Sequence, residues 1–201
     1  MTLSVVGDIG VGYGALAIGL VEPVPHATVP AHAGPHYVAA VRGGAWWATS
    51  HHPPVVVPLR DWPELRVVVV TPELAWDAHA AKHALPRTIP VMKHVRQAML
   101  SSALPLAFQA HDAGALHGCD GDAVVGPAIG PRLPGFFPAA TAARGAGALL
   151  FGLANGGPTV AALSLGPHAD EVGAAIVASF AAHALPAAMT ISAIAPHAET
   201  R

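Results

Sequence analysis

Residues 147–159, Gly-Ala-Leu-Leu-Phe-Gly-Leu-Ala-Asn-Gly-Gly-Pro-Thr, constrain the fold more than any other stretch of the chain. An apolar run, a small-residue turn and a second apolar run over 160–164 follow one another without a charge. That pattern reads as a buried β-hairpin. At its tip Asn155, Gly156 and Gly157 adopt positive φ at little cost and leave backbone N–H groups uncovered. Such a tip suits main chain that approaches a phosphate or carboxylate, and equally an ordinary hairpin turn.

The best single strand is residues 66–70, Arg-Val-Val-Val-Val, whose four β-branched residues suit burial on both faces. Pro72 ends it. Residues 3–6 and 15–21 read as a hairpin around a Gly10/Gly12 turn, and 45–49 and 55–59 as two more short strands. If Trp46 and Trp47 lie on a strand, one is core and one exposed. Helices are expected over 75–85, 91–102, 106–116, 138–145 and 169–184, each bounded by Pro or Gly, and a last strand over 189–193. The order β, helices, β, β, α, β is that of a ferredoxin-like split βαβ, with helices layered on an antiparallel sheet formed by 67–70, 148–153, 160–163 and 190–193. The fold class is therefore α+β.

At 201 residues a compact chain hides roughly 70% of its unfolded surface, so one domain, or one and a fragment, is expected. Ten Lys and Arg against twelve Asp and Glu give no electrostatic reason to bind nucleic acid or an anionic membrane. The longest uncharged stretch, 172–198, holds His183, Pro186 and Pro196 and changes from helix-like to strand-like at Pro186. It fits a spanning helix poorly. The first twenty residues carry Asp8 and no Lys or Arg, unlike a secretory signal, and the lone Cys119 suits a reducing compartment, so a cytoplasmic location is expected. With only 11% charged residues, any apolar face left uncovered invites association, for example as a homodimer.

Several motifs recur in a familiar order: Asp8-Ile9-Gly10-Val11-Gly12-Tyr13-Gly14, Gly34-Pro35-His36-Tyr37-Val38-Ala39 with Gly43-Gly44, Thr71-Pro72-Glu73-Leu74, Leu85-Pro86, Leu133-Pro134-Gly135-Phe136 and Gly156-Gly157-Pro158-Thr159. Together they resemble the homoserine kinases, members of the GHMP small-molecule kinases. The resemblance implies a GHMP-kinase-like fold with a truncated N-terminal β layer over residues 1–60 and a C-terminal domain over 61–201. It also implies ATP with Mg²⁺ as phosphate donor, and L-homoserine, of the threonine pathway, as small-molecule substrate. Carried onto this chain, substrate binding falls to Asp8, His36, Lys82 and Arg132, and phosphate binding to Gly10, Gly12, Asn155, Gly156, Gly157 and Thr159.

The chain departs from that family at chemically important places. Between Val24 and Ala33 there is room for a short connection only, whereas the family inserts a Gly-Leu-Gly-Ser-Ser-Ala loop and a helix whose N-terminus holds the ATP phosphates. Its Glu-Pro-x-Arg stands here as Gly126-Pro127-Ala128-Ile129, its Asn as Asp8, its Asp as Gly14, and an Arg as Lys82, which lacks the bidentate fork. No catalytic residue is assigned. Slow or absent phosphorylation is expected, and a non-catalytic small-molecule binding or interaction domain is the alternative. A third reading comes from His79 and His83, spaced i,i+4 as in helical zinc sites, with His111, Asp112 or His117 as further ligands; a solvated pair is the plain alternative. Asp120 and Asp122 suggest a helix N-cap.

Overall fold

A computed structural model describes residues 5–11, 14–20, 35–51, 54–154 and 156–198. The four valines of the central strand organise it. β5 (Leu65–Pro72) pairs antiparallel with β7 (Val160–Leu165) on one side and β8 (Ala187–Ala193) on the other, and β6 (Ala148–Leu153) completes a sheet of order β6-β7-β5-β8. Helix α7 (Ala169–Ala181) carries the chain from β7 to β8, and these two strands flank β5. This is the expected split βαβ, built from the four expected strands.

Because strand side chains alternate, Val67 and Val69 point to one face and Val68 and Val70 to the other. The second face packs on α6 (Phe136–Gly145) and α7 through Ala139, Ala143, Val172, Ile176 and Phe180. The first face is covered as well. Val67, Leu150 and Leu163 share a core with Leu16, Ile18 and Trp47 of a second sheet, and with Leu104, Phe108 and Leu116. The latter three come from α3 (Val91–Gln109) and α4 (Ala113–Gly118).

That second sheet has the order β1-β2-β3-β4: β1 (Val5–Val11), β2 (Gly14–Gly19), β3 (Ala45–His51) and β4 (Pro54–Leu59). Its outer face is covered by α1 (Pro35–Arg42), which packs Val38 and Ala39 on Trp46 and Ala17. Both tryptophans are consequently buried, each 8% exposed, which corrects the expectation of one exposed ring; the helix covering the outer face was not foreseen. Asp8 corrects a second expectation. It lies inside β1, where the register with β2 slips between Val6 and Ile9, and Gly10 is paired with Ala15, so neither is a turn residue. Gly12 lies outside the described residues, as does the stretch 24–33.

The C-terminal segment joins the sheets a second time. Ala195 N–H donates to the Gly19 carbonyl at 2.9 Å, Gly44 N–H to Ala195 at 2.7 Å and Ala198 N–H to Arg42 at 2.7 Å. The His197 ring stands between Asp61 Oδ1 at 2.7 Å and the Ala45 carbonyl at 3.2 Å. Gly43 and Gly44 both have positive φ, and a methyl on Gly44 would lie 2.2 Å from the His197 ring, so close approach and backbone conformation each require glycine there.

The helices between β5 and β6 differ most from the pattern reading. α3 runs through Pro105 to Gln109: the lost N–H costs one bond, while Leu104, Ala107 and Phe108 beyond the break are buried. α4 then starts at Asp112, whose Oδ1 accepts the Ala115 N–H at 2.9 Å. The short α5 (Val125–Ile129) forms despite Gly126 and Pro127 because Asp122 accepts N–H bonds from Val124, Val125 and Gly126, the cap expected of it.

Phe108 is fully buried and meets Trp62 edge-on at 5.6 Å in the core common to both sheets. Phe108→Ala is expected to lower unfolding stability by about 3–5 kcal/mol, measured by urea denaturation, with tryptophan fluorescence and far-UV circular dichroism lost together.

Candidate binding groove and its relatives

The register of β5 with β7 places the hairpin tip. Val70 faces Val160, so Thr71 stands beside Thr159, and their hydroxyls meet at 3.0 Å. Gly156 and Gly157 have φ of +77° and +86°. Gly156 faces open space, whereas a methyl on Gly157 would come within 2.8 Å of the Trp76 ring. The Gly157 N–H donates to the Ala154 carbonyl at 2.9 Å, which commits that amide to the turn. Asn155 lies outside the described residues.

Trp76 leads into α2 (Ala78–His83), the helix that carries Lys82, so the tip and the Lys82 segment are neighbours. Asp8 and Gly10 lie on β1, which runs beside β6, the strand leading into the tip. His36 is the second residue of α1. Arg132 stands apart, exposed in the 3-10 turn Gly130–Arg132.

Beyond α2 the chain shapes a groove. One hollow of about 240 Å³ opens between residues 84–93 and 123–128, with Pro86, Thr88, Lys93 and Pro127 among its walls. A second, of about 160 Å³, shares Pro127 and runs between α5, α6 and β6 as far as Leu153. The charges around the second hollow are already engaged. Asp122 caps α5, and Arg144 pairs with Asp120, whose other oxygen accepts the Phe151 N–H at 3.1 Å. Lys93 is the cation lining the first hollow. Neither Lys93 nor Thr88 had a sequence signal, since nothing in their spacing distinguishes them from surface residues.

The histidines do not converge on a zinc site. His111 stacks on Trp62 at 4.9 Å, Asp112 caps α4, and His117 Nδ1 lies 3.2 Å from the Ala148 carbonyl. Among the described residues no three His, Cys, Asp or Glu side chains are grouped to hold a metal ion. None of the helices among them is long and apolar enough to cross a membrane. Cys119 is buried, and burial pushes its thiol up from the ordinary 9.0, the opposite of what a thiolate nucleophile needs.

No protein-family model matches the chain. A homoserine kinase of Thermus thermophilus is 31% identical over 130 residues, which are 65% of this chain and 44% of the relative. Among solved structures, the homoserine kinase of Cytophaga hutchinsonii superposes with a TM-score of 0.74 at 26% identity, over 78% of this chain and 50% of that one. This chain is homoserine-kinase-like. The mevalonate kinase of L. major, in complex with R-mevalonate, shares the fold at a TM-score of 0.54 and 16% identity, over 87% of this chain and 55% of that one. The homoserine-kinase-like chain thus spans less than half the length of the curated relatives it matches. Its first hollow lies where Pro86 stands across from Pro127 and Ala128.

Two measurements check the local geometry. A side chain at positive φ costs roughly 1–2 kcal/mol, and overpacking adds roughly 1–3 kcal/mol. Gly157→Val, which strikes Trp76, should therefore lose clearly more stability in urea than Gly156→Val, which meets only the backbone penalty. For Cys119 the core holds the neutral thiol, so its contribution is fully present below about pH 9 and is lost as pH rises through the raised folded value. Native protein at pH 8 should react with a thiol reagent only on unfolding, and Cys119→Ala should flatten the alkaline fall in stability.

Proposed function

We propose that this chain binds a small molecule on the homoserine kinase scaffold and phosphorylates homoserine slowly or not at all. Residues 1–60 act as a reduced first domain and 61–201 as the C-terminal domain of the class. By likeness to the relatives, the class reaction transfers the γ-phosphate of ATP, with Mg²⁺, to the hydroxyl of L-homoserine in cytoplasmic threonine biosynthesis.

The observation that carries this reading is the groove itself. Residues 84–93 and 123–128 line one hollow; in the segment that stands where the resemblance sets Glu-Pro-x-Arg, Pro127 and Ala128 form its wall and Ile129 is buried in the core. A cleft for a small molecule remains, without the carboxylate and guanidinium that would hold an amino acid at both ends. The described residues also do not fit ATP-Mg²⁺. At the hairpin tip the Gly157 amide is committed to Ala154 and the Thr159 hydroxyl to Thr71, and no acidic cluster among them stands ready for a divalent ion. The connection over 20–34 has no Gly-Leu-Gly-Ser-Ser-Ala sequence. Phosphoryl transfer depends on positioned donors and cations, each worth on the order of 3 kcal/mol in enzyme sites, so their loss removes most of the rate.

An ADP-release assay with homoserine, run beside Lys82→Ala, tests the proposal. The expected result is homoserine-dependent turnover far below the roughly 1 per second of ordinary kinases, with calorimetry showing weaker binding of ATP-Mg²⁺ than of homoserine. Turnover near ordinary kinase rates that disappears in Lys82→Ala would overturn it.

A further inference from the structure

We propose that His79 and His83 form a two-imidazole chelate for a divalent transition metal that prefers right-angled coordination, Cu(II) or Ni(II), and that the bound ion staples α2. The spacing i,i+4 stacks the two side chains on one helix face. Their Nε2 atoms are 2.9 Å apart, with the rings inclined at 73° and both residues exposed. Two imidazole nitrogens at about 2.0–2.1 Å from one metal stand about 2.9 Å apart at a 90° bite and about 3.3–3.4 Å apart at the tetrahedral angle. In the metal-free pair the 2.9 Å separation is that of a hydrogen bond between the two rings, which holds both nitrogens at the spacing of a right-angled bite, so that Cu(II) or Ni(II) replaces the shared proton with the least rearrangement of the rings.

Water completes the coordination. Asp77, the nearest carboxylate in sequence, is committed to the helix start, its Oδ1 accepting the N–H groups of His79 and Ala80 at 3.0 Å. His111, Asp112 and His117 are engaged elsewhere, as described above. α2 spans only six residues and inserts the buried Ala81 into the core. A clamp across one turn fixes a helix too short to hold itself.

Titration of the full chain with CuSO₄, followed by calorimetry and electron paramagnetic resonance, tests it. The expected result is one site with coupling to two nitrogens, weakened roughly tenfold or more in both His79→Ala and His83→Ala and unchanged in His168→Ala, a control at another exposed histidine. Thermal stability should rise with copper in the parent and not in the two variants. Should His83→Ala fail to fold, His83→Gln gives the same reading. Copper bound as tightly by both alanine variants as by the parent, or a spectrum lacking two-nitrogen coupling, would overturn the proposal.

Discussion

The alternation of Val67 and Val69 against Val68 and Val70 sets the rest of the molecule. One pair seals the layer beneath α6 and α7, and the other seals the core that β5 shares with the N-terminal sheet, α3 and α4. A slip of one residue would exchange the two sets, so the register of β5 is fixed from both faces at once. That register carries on into the groove region: Val70 opposite Val160 puts Thr71 beside Thr159, the hairpin tip beneath Trp76, and the start of α2 against the tip. The geometry of the tip follows from apolar packing one turn of chain away.

The C-terminal half was legible because its signals are local and mutually consistent. A β-branched run, two apolar runs about a glycine turn, a helix opened by Gly166-Pro167 and a terminal strand admit few topologies, and the split βαβ is the one that formed. What the sequence hid is tertiary. Pro105 argues for a break that Leu104, Ala107 and Phe108 override by burial, and Gly126-Pro127 argues against a helix that the Asp122 carboxylate caps. Trp46 reads as half-exposed until α1 is laid over it.

The candidate site divides in the same way. The His79 and His83 pair is visible in sequence because it depends on helical spacing alone. The groove is not, because Lys93 and Thr88 come to line one hollow with Pro127 and Ala128 only in the folded chain. No spacing or charge pattern links the two segments, and their side chains give no sign of what the cleft between them holds.

The motifs that survive from the homoserine kinase pattern have structural duties that can be named. Gly135 starts α6 at φ +84°, where a methyl would lie 3.2 Å from Phe180, and Leu133 and Phe136 beside it are buried. Gly157 passes beneath Trp76, and Thr159 ties the hairpin to β5. Gly44 admits the C-terminal segment between the sheets. Among the positions that differ from that pattern, Pro127 and Ala128 line the first hollow and Ile129 is buried in the core. Packing tolerates such exchanges, since a small or apolar residue at a groove wall leaves no buried polar group unpaired. Chemistry does not, because a phosphate or carboxylate needs its donors in place beforehand. Likeness at the motifs therefore reports the scaffold, and the proposal of slow or absent turnover rests on the unlike residues between them.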